Sequence, residues 1–371
     1  MELIKIATKI HKFDTFSKFV KEFDITEKDL ILTNGFLYEP FMKPHNLAAN
    51  VILQENYGIG EPSDEMMNAI LYDANKFEFN RIIAIGGGTV LDIAKLLVLK
   101  DLEDVVDAFE KKIDLIKEKQ LVAIPTTCGT GSEVTNITIA EIKSKNTKMG
   151  LAIDQLIPDH AVLIPEFLKG LPYKFYIYSS IDALIHAIES FVSPKSNEYT
   201  KLFSVKAIET IFDIYLNIIE KGEDYRFERL EDMMRASNYA GIAFGNTGVG
   251  AVHALSYPLG GMYHVAHGEA NYQFFTEVFK LYNEKEPNGA IKEVNEIFAR
   301  LLNTSNENIY EKVEEVLGKL ISKNLLRTYG MKEEEKSIFT ESVLLGQQRL
   351  LANNYVAFSK EDIKGIYSRL Y

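Results

Sequence analysis

The chain has 371 residues, a length at which one hydrophobic core usually gives way to two domains. Its 46% hydrophobic and 25% charged residues are typical of globular proteins, and no apolar run reaches the roughly 18 residues that span a bilayer. The net charge of −12 argues against nucleic-acid binding, which draws its affinity largely from lysine and arginine. We therefore expect a two-domain protein that binds neither nucleic acid nor membrane.

Cysteine content and the first residues indicate the cellular compartment. The single cysteine, Cys128, excludes an internal disulfide and a thiolate metal cluster, and it fits a reducing compartment. The start, MELIKIATKIHKF, has scattered lysines and no apolar stretch that ends in small residues, so it does not resemble a secretory signal. These features predict a cytoplasmic protein in which any metal is bound by nitrogen and oxygen.

From about residue 28 to residue 165 the chain alternates β-rich runs with helical segments. The runs DLILTN, VILQ, NRIIAIGGG, QLVAIPTT and HAVLIP, with the helical LDIAKLLVLK among them, predict a parallel sheet covered by helices. From about residue 175, long apolar patterns at i, i+3, i+4 spacing predict an all-helical second half. We expect an α/β domain over 1–175 and an all-helical domain over 176–371, with the break near LKGLPYKFY.

A glycine loop follows the first strongly apolar strand in RIIAIGGGTVLDIAK. Glycines let the backbone approach a ligand closely, and the amides at a helix start form a seat for a pyrophosphate. Thr89 and Asp92 have the spacing of a capping box that would open this helix. The spacing is not G-x-G-x-x-G, and a tight turn without a ligand is the alternative for this motif alone.

A second loop, AIPTTCGTGSEVT, follows another apolar strand. Its hydroxyl side chains suit ribose and phosphate, and they surround two glycines. These hydroxyl residues are Thr126, Thr127, Thr130, Ser132 and Thr135. Because the carboxyl ends of parallel strands meet at one edge of a sheet, the two loops together predict one crevice for a nucleotide.

Histidine and aspartate residues in the second half form a candidate metal site. SSIDALIHAIES places Asp182 and His186 at i and i+4, on one face of a helix. The segment VHALSYPLGGMYHVAHGEAN adds three histidines without any helical or strand-like apolar repeat. His253 and His267 would complete a site of three histidines and one carboxylate for a divalent metal. Core packing is the alternative, but the nucleotide loops make a metal between the domains the better interpretation.

Several segments resemble, in order, the signatures of the iron-activated (type III, metal-dependent) alcohol dehydrogenase family. They are GGGTVLDIAK, IPTTCGTGSE, LPYKFYIYSSIDALIHAIESFVSP, AGIAFGNTGVGAVHALSYPLGG, HVAHGEAN and the closing NNYVAFSKEDIKGIYSRLY. The stretch from DLILTNGFLYEPF through LPYKFY is most similar to the 4-hydroxybutyrate dehydrogenases of the family. The resemblance covers most of the chain. It implies a dehydroquinate synthase-like architecture, an α/β dinucleotide-binding domain followed by an all-α metal-binding domain.

The resemblance assigns roles to individual residues. Its metal positions fall on Asp182, His186, His253 and His267, and His264 lies outside this ligand set. Its dinucleotide contacts fall on Gly87, Gly88, Thr89, Thr126, Thr127, Thr130 and Thr135. Lys148, in TKMGLAI, matches a family lysine that reaches the cofactor near its ribose, and a solvated surface lysine is the alternative.

The chain departs from the family pattern at two positions. Many members carry a histidine near the nicotinamide four residues after the first histidine of the VHALSYPLGG segment, whereas this chain has Tyr257. We expect Tyr257 or His264 to pass a proton or to contact the substrate. After the early strand LILT, where NAD-preferring members often have an aspartate, this chain has Asn34. Asn34 is expected to bind the ribose without repelling the extra phosphate of NADP, so NAD is the expected cofactor with weaker discrimination.

The resemblance implies hydride transfer between NAD(H) and a short-chain primary alcohol, with one divalent ion, iron or zinc, as a Lewis acid. The expected substrate is 4-hydroxybutyrate, interconverted with succinic semialdehyde by a homodimer. A general short-chain alcohol or 1,3-propanediol dehydrogenase is the alternative within the family. Outside it, the alternatives are a metal-dependent hydrolase or lyase with Glu189 as base, and a nucleotide-binding protein with a structural metal.

Overall fold

The computed structural model describes residues 2–145 and 147–371. The chain divides into two compact units, an α/β unit, Ile6–Gly170, and a helical unit, Met1–Lys5 with Leu171–Tyr371. This division falls within the LKGLPYKFY segment, and the domain boundary expected after residue 175 stays a prediction. None of the described helices combines the length and the apolar composition that crossing a membrane requires.

The α/β unit alternates strands with helices. In chain order these are β1 (Lys9–Lys12), α1 (Phe16–Phe23), β2 (Asp29–Thr33), α2 (Gly35–Leu37), β3 (Asn50–Leu53), α3 (Asp64–Ala74), β4 (Arg81–Gly86), α4 (Gly88–Leu97), α5 (Val105–Phe109), β5 (Gln120–Pro125), β6 (Ile137–Ile142), β7 (Thr147–Ala152) and β8 (His160–Leu163). Short segments of 3₁₀ or π helix cover Tyr38–Met42, Lys43–His45, Gln54–Tyr57, Ser132–Val134, Lys143–Lys145, Asp154–Leu156 and Pro165–Gly170.

Six of the strands form one parallel sheet in the order β1-β8-β5-β4-β2-β3, which confirms the predicted fold class of this half. The strands β2, β4 and β5 read as continuous apolar runs because helices cover both faces of the sheet. Consecutive residues of β4 show this: Ile82 packs in one hydrophobic core with α3 and α4, and Ile83 packs in the other core with α1.

Two parts of the α/β unit were not predicted from the sequence. The edge strand β1 has the sequence KIHK and is largely exposed, so it carries no apolar run. The strands β6 and β7 form a separate antiparallel hairpin. In β6, ITIAEI, burial alternates residue by residue, but apolar residues occur on both faces of the strand, so the sequence shows no clear two-residue period.

The start of α4 differs from the sequence interpretation. The residue before the helix is Gly87, so Thr89 and Asp92 do not form a capping box. The Thr89 hydroxyl instead donates to the carbonyl of Gly60 at 3.1 Å. The Asp92 carboxylate accepts from the Ser132 hydroxyl at 2.6 Å. The helix therefore begins with a glycine cap, and both polar side chains bind other segments.

The described part of the helical unit contains helices and no strand, as predicted. The helices are α6 (Tyr173–Val192), α7 (Glu198–Lys221), α8 (Leu230–Thr247), α9 (Ala251–Tyr263), α10 (His267–Lys285), α11 (Ala290–Leu301), α12 (Ile309–Leu320), α13 (Glu335–Gly346), α14 (Gln348–Leu351) and α15 (Lys360–Leu370), with 3₁₀ turns at Glu223–Glu228 and Leu326–Tyr329. Helix α6 is buried along almost its whole length, because α7, α8 and α10 pack around it.

The segment VHALSYPLGGMYHVAHGEAN is mostly helical, although its sequence shows no apolar repeat. Helix α9 covers most of it, and α10 begins at His267. Most of α9 is buried, and a helix that is buried on all sides needs no 3.6-residue period. The segment also carries Pro258 inside α9, a residue that normally argues against a helix interior.

Candidate metal centre and nucleotide loops

Four side chains of the helical unit converge on one point. Asp182 and His186 come from α6, His253 comes from α9, and His267 is the first residue of α10, with ligand atoms that all lie within 4.8 Å of one another. His253 Nε2 is 3.0 Å from His186 Nε2. Asp182 Oδ1 is 3.7 Å from Nε2 of both His253 and His267. Ligand atoms around a tetrahedral ion at about 2.05 Å lie roughly 3.3 Å apart, so these spacings fit one shared ion.

The chemistry and burial of these donors suit a divalent first-row metal. Asp182, His186 and His253 are buried, and His267 is half-buried. Burial raises the pKa of the Asp182 carboxyl, but the three histidines and a hydrogen bond outweigh it and hold that pKa below its ordinary value. Imidazole nitrogen together with carboxylate oxygen is a donor set for iron or zinc. The residues present therefore fit such an ion.

Gly268 allows α10 to begin against α6. A Cβ at this position would lie 2.4 Å from the backbone oxygen of Tyr178 and 3.4 Å from Cβ of Asp182. Any larger residue would have to push the two helices apart. The glycine therefore explains how His267, the neighbouring residue, comes close to Asp182.

Glu189, also on α6, orients one of the histidines. Its Oε2 lies 2.6 Å from His253 Nδ1, and its Oε1 accepts from the amide of Val252 at 2.8 Å. A proton held between Nδ1 and Glu189 leaves the Nε2 lone pair pointing at the cluster. Burial lowers the pKa of His253, but the charge and hydrogen bond of Glu189, together with the charge of Asp182, raise it above its ordinary value. From the sequence alone, Glu189 was a candidate only for the base of a hydrolase.

Asn271 is a second supporting residue, which sequence analysis missed. Its Nδ2 donates to Asp182 Oδ1 at 2.7 Å and lies 3.2 Å from His267 Nε2. The hydroxyl of Ser256, on α9, donates to its Oδ1. Asn271 thus links all three helices that supply ligands. The available signal was its i+4 spacing from His267 on a helix.

Tyr257 and His264 lie outside the ligand cluster. Tyr257 is half-buried on α9, with its ring centroid 6.3 Å from that of His267. His264 is exposed and ends α9 with a φ of 52°. Their expected roles in proton transfer or substrate binding stay predictions.

In the α/β unit, the two loops expected to bind a nucleotide lie side by side. Strands β4 and β5 are parallel neighbours that pair up to their last residues. A Cβ at Gly88 would lie 2.9 Å from Cγ2 of Thr130, and a Cβ at Gly87 would lie 3.5 Å from Cγ2 of Thr127. The glycines therefore let the second loop pack directly against the first.

Lys95, a residue of α4 that sequence analysis did not single out, is fully buried and holds the second loop. Its Nζ donates to the hydroxyls of Ser132 and Thr135 at 2.7 and 3.1 Å, and to the carbonyl of Ile137 at 2.6 Å. Burial lowers the pKa of Lys95 to about 8, against the opposing charge of Asp92. Thr135 was expected to contact the cofactor, and its hydroxyl is also part of this network.

The two remaining predicted cofactor residues both contact carboxylates. Lys148, on β7, forms an ion pair with Glu61, and its side chain is only 11% exposed, so it is not a solvated surface lysine. Asn34 Nδ2 donates to Gln54 Oε1 at 3.0 Å and to Glu55 Oε2 at 3.1 Å. Glu55 was not identified from the sequence, and it brings negative charge to the position where Asn34 alone would supply none.

Two family models cover nearly the whole chain and confirm the resemblance seen in the sequence. The model described as iron-containing alcohol dehydrogenase matches residues 5–165, and the C-terminal model of the Fe-containing alcohol dehydrogenase family matches residues 176–371. A 4-hydroxybutyrate dehydrogenase from Clostridium kluyveri is 57% identical over 371 residues, which are 100% of each chain.

Solved structures share the fold. A sulfoacetaldehyde reductase from Bifidobacterium kashiwanohense, in complex with NAD+, has a TM-score of 0.85 at 20% identity over 99% of this chain and 98% of its own. An iron-containing alcohol dehydrogenase from Thermotoga maritima has a TM-score of 0.80 at 23% identity, again over 99% and 98%. At these identities the likeness establishes the architecture alone.

Replacing His267 by alanine is expected to remove one of the four ligands and to lower the metal content of the purified protein. His264→Asn is the matched control, because asparagine tolerates the positive φ at that position, and it should retain the ion. Elemental analysis after dialysis measures both variants. Equal metal content in the wild type and in His267→Ala would refute the ligand assignment.

Replacing Glu189 by glutamine is expected to weaken metal binding about 10- to 100-fold, because the neutral amide no longer holds the Nδ1 proton of His253. Competition with a chromogenic chelator measures the affinity. Glu269→Gln is the control, since this buried carboxylate on α10 contacts Tyr329 at 3.0 Å and Lys174 at 3.5 Å. Glu189→Gln with wild-type affinity would show that the contact to His253 has no influence on the metal.

Lys95 is expected to make the α/β unit more stable as the pH rises above about 8. Its pKa is about 8 in the folded protein and 10.5 ordinarily, so between these values the unfolded chain binds more protons. The free energy of unfolding of the wild type, minus that of Lys95→Met, should therefore increase by roughly 2 kcal/mol between pH 7 and 10. Urea unfolding of both proteins at several pH values tests this, and a difference independent of pH would contradict it.

Proposed function

Since the chain belongs to the iron-containing alcohol dehydrogenase family, we propose that it is an NAD-dependent enzyme that interconverts 4-hydroxybutyrate and succinic semialdehyde. The observation that supports this substrate is the 57% identity, over the whole chain, with the 4-hydroxybutyrate dehydrogenase of Clostridium kluyveri. The converging histidines and aspartate support a metal-dependent reaction. The paired loops of the α/β unit support a dinucleotide cofactor.

The residues of the metal centre bind and orient rather than react. When bound, an iron or zinc ion would supply Lewis-acid activation of an alcohol, and NAD would supply the hydride acceptor. The proposed ligands of the ion are Asp182, His186, His253 and His267. Glu189 keeps the ring of His253 in place, and Asn271 does the same for the carboxylate of Asp182. Tyr257 and His264 are the proposed proton relay.

The proposed seat of the cofactor pyrophosphate is the start of α4, at the amides of Gly87, Gly88 and Thr89. Gly87 has no side chain to cap this helix, and the free amides and the helix dipole attract a phosphate. The fold neighbour from Bifidobacterium kashiwanohense is a complex with NAD+. The other proposed cofactor contacts are Asn34, Thr126, Thr127, Thr130, Thr135 and Lys148.

We propose that Arg349 binds the substrate carboxylate. A carboxylate that is buried without a partner costs free energy, so the substrate site needs a positively charged or hydrogen-bonding group. Arg349 lies on α14, which packs against α9, the helix of His253. Just after α14, Asn354 Oδ1 accepts from the amide of Ala251 at 3.0 Å and ties the two segments together. Burial lowers the pKa of His253, the carboxylates of Glu189 and Asp182 raise it on balance, and the charge of Arg349 weakly opposes these carboxylates. Within the described residues the Arg349 side chain has no hydrogen bond or ion pair.

The substrate and Arg349 are tested together by following NADH absorbance. The wild type should oxidise 4-hydroxybutyrate with a higher kcat/KM than 1-butanol or 1,3-propanediol at equal NAD. Arg349→Met should raise the KM for 4-hydroxybutyrate about 10- to 100-fold, which corresponds to the free energy of one hydrogen bond to a charged group. Because the contact already exists in the ground state, kcat should fall less, and the uncharged alcohols should be unaffected.

Arg300→Met is the control for this experiment. It removes the same charge from α11, where Arg300 pairs with Glu209 at 2.6 Å, and it should change neither parameter. If the wild type oxidises the uncharged alcohols equally well, a general short-chain alcohol dehydrogenase replaces the proposed function. If the wild type prefers 4-hydroxybutyrate and Arg349→Met retains its KM, only the role of Arg349 is refuted.

The proposal includes a cytoplasmic homodimer. The dimer is carried over from the family resemblance. The compartment is supported by the cysteine content, because the single Cys128 cannot form an internal disulfide, as suits a reducing environment.

A further inference from the structure

The strands β4, β2 and β3 are parallel neighbours, so their carboxyl ends lie side by side. β4 leads into the glycine loop, β2 is followed by Asn34, and β3 is followed by Gln54 and Glu55. Neighbouring strands are about 4.8 Å apart, so the end of β2 lies one strand away from the proposed pyrophosphate seat. In dinucleotide-binding sheets, an acidic residue at this next strand accepts the ribose 2′-hydroxyl.

Glu55 brings a carboxylate to the end of β2 from the adjacent strand β3. Its Oε1 accepts from the amide of Gly35 at 2.5 Å, and its Oε2 accepts from Asn34 Nδ2 at 3.1 Å. A Cβ at Gly35 would lie 2.6 Å from Oε1, so the glycine leaves room for the carboxylate. The same Asn34 nitrogen donates to Gln54 Oε1 at 3.0 Å, so both of its hydrogens are engaged.

The charge of Glu55 is not neutralised by a neighbour. In the part of the chain that the structure describes, Glu55 forms no ion pair, and its side chain is exposed. A carboxylate here accepts hydrogen bonds from ribose hydroxyls. It also repels the 2′-phosphate that distinguishes NADP, because like charges at close range disfavour each other even near a surface.

We infer that Glu55, rather than Asn34, sets the preference of this chain for NAD over NADP. The inference rests on the proposed function, since it takes NAD as the cofactor and the glycine loop as the seat of its pyrophosphate. A search of the sequence for an aspartate after β2 would not identify Glu55 as the residue that discriminates between NAD and NADP.

The test compares dissociation constants for NADH and NADPH on the full-length chain without alcohol. The chain contains no tryptophan, so nicotinamide fluorescence can be followed without an indole background. Glu55→Gln should tighten NADPH binding roughly 10- to 100-fold through the loss of a close like charge, and it should change NADH binding far less. Glu55→Asp keeps the charge and should keep most of the preference for NADH.

Glu39→Gln is the matched control. It removes one negative charge from the segment that follows Asn34, where Glu39 pairs with Lys43 at 2.6 Å, and it should leave both constants unchanged. An unchanged ratio of the two constants in Glu55→Gln would overturn the inference. Equal weakening of both nucleotides would also overturn it, because that result indicates a structural role. A wild type that binds neither nucleotide would instead refute the proposed cofactor, whichever alcohol is the substrate.

Discussion

The buried carboxylate of Asp182 is the constraint around which the centre of the helical unit is arranged. A buried charge is tolerated only with compensating partners, and here three imidazoles and the amide of Asn271 surround it. Those partners come from three helices, so the compensation requires α6, α9 and α10 to meet at one point. Gly268 makes the approach of α10 to α6 possible. A cation held by these four side chains would complete the compensation, so the packing of the three helices also determines the geometry of the donor atoms.

The contacts of Glu189 bear on the choice between a dehydrogenase and a hydrolase. A general base for hydrolysis needs a carboxylate oxygen that is open to a water molecule. Both oxygens of Glu189 already accept, one near His253 Nδ1 at 2.6 Å and the other from the amide of Val252 at 2.8 Å. Glu189 is also buried, with 2% of its surface exposed. Its environment therefore favours the orientation of a ligand over the activation of water.

The sequence was most informative where a residue's role depends on its own segment. The buried strands were recognisable as apolar runs. The i, i+4 spacing of Asp182 and His186 places both side chains on one face as soon as their segment is helical. Prediction failed where the partner lies far along the chain. The capping box predicted at Thr89 was wrong because Gly87 precedes the helix, and Asp92 instead accepts from Ser132, a residue of the other loop. Helix α9 shows no apolar period because neighbouring helices bury most of it.

In the α/β unit, single contacts between residues far apart in the sequence were also beyond prediction. A sequence places Asn34 after β2 and Glu55 after β3, but only the parallel register of the two strands brings the carboxylate onto the asparagine. Lys95 is similar, because its position on α4 suggests a surface lysine until the hydroxyls of the second loop enclose its ammonium group. A sequence pattern that considers one position at a time finds asparagine after β2 and no acidic residue there. The neighbouring strand nevertheless brings a carboxylate to the same end of the sheet, so the residue after β2 does not by itself determine the local charge.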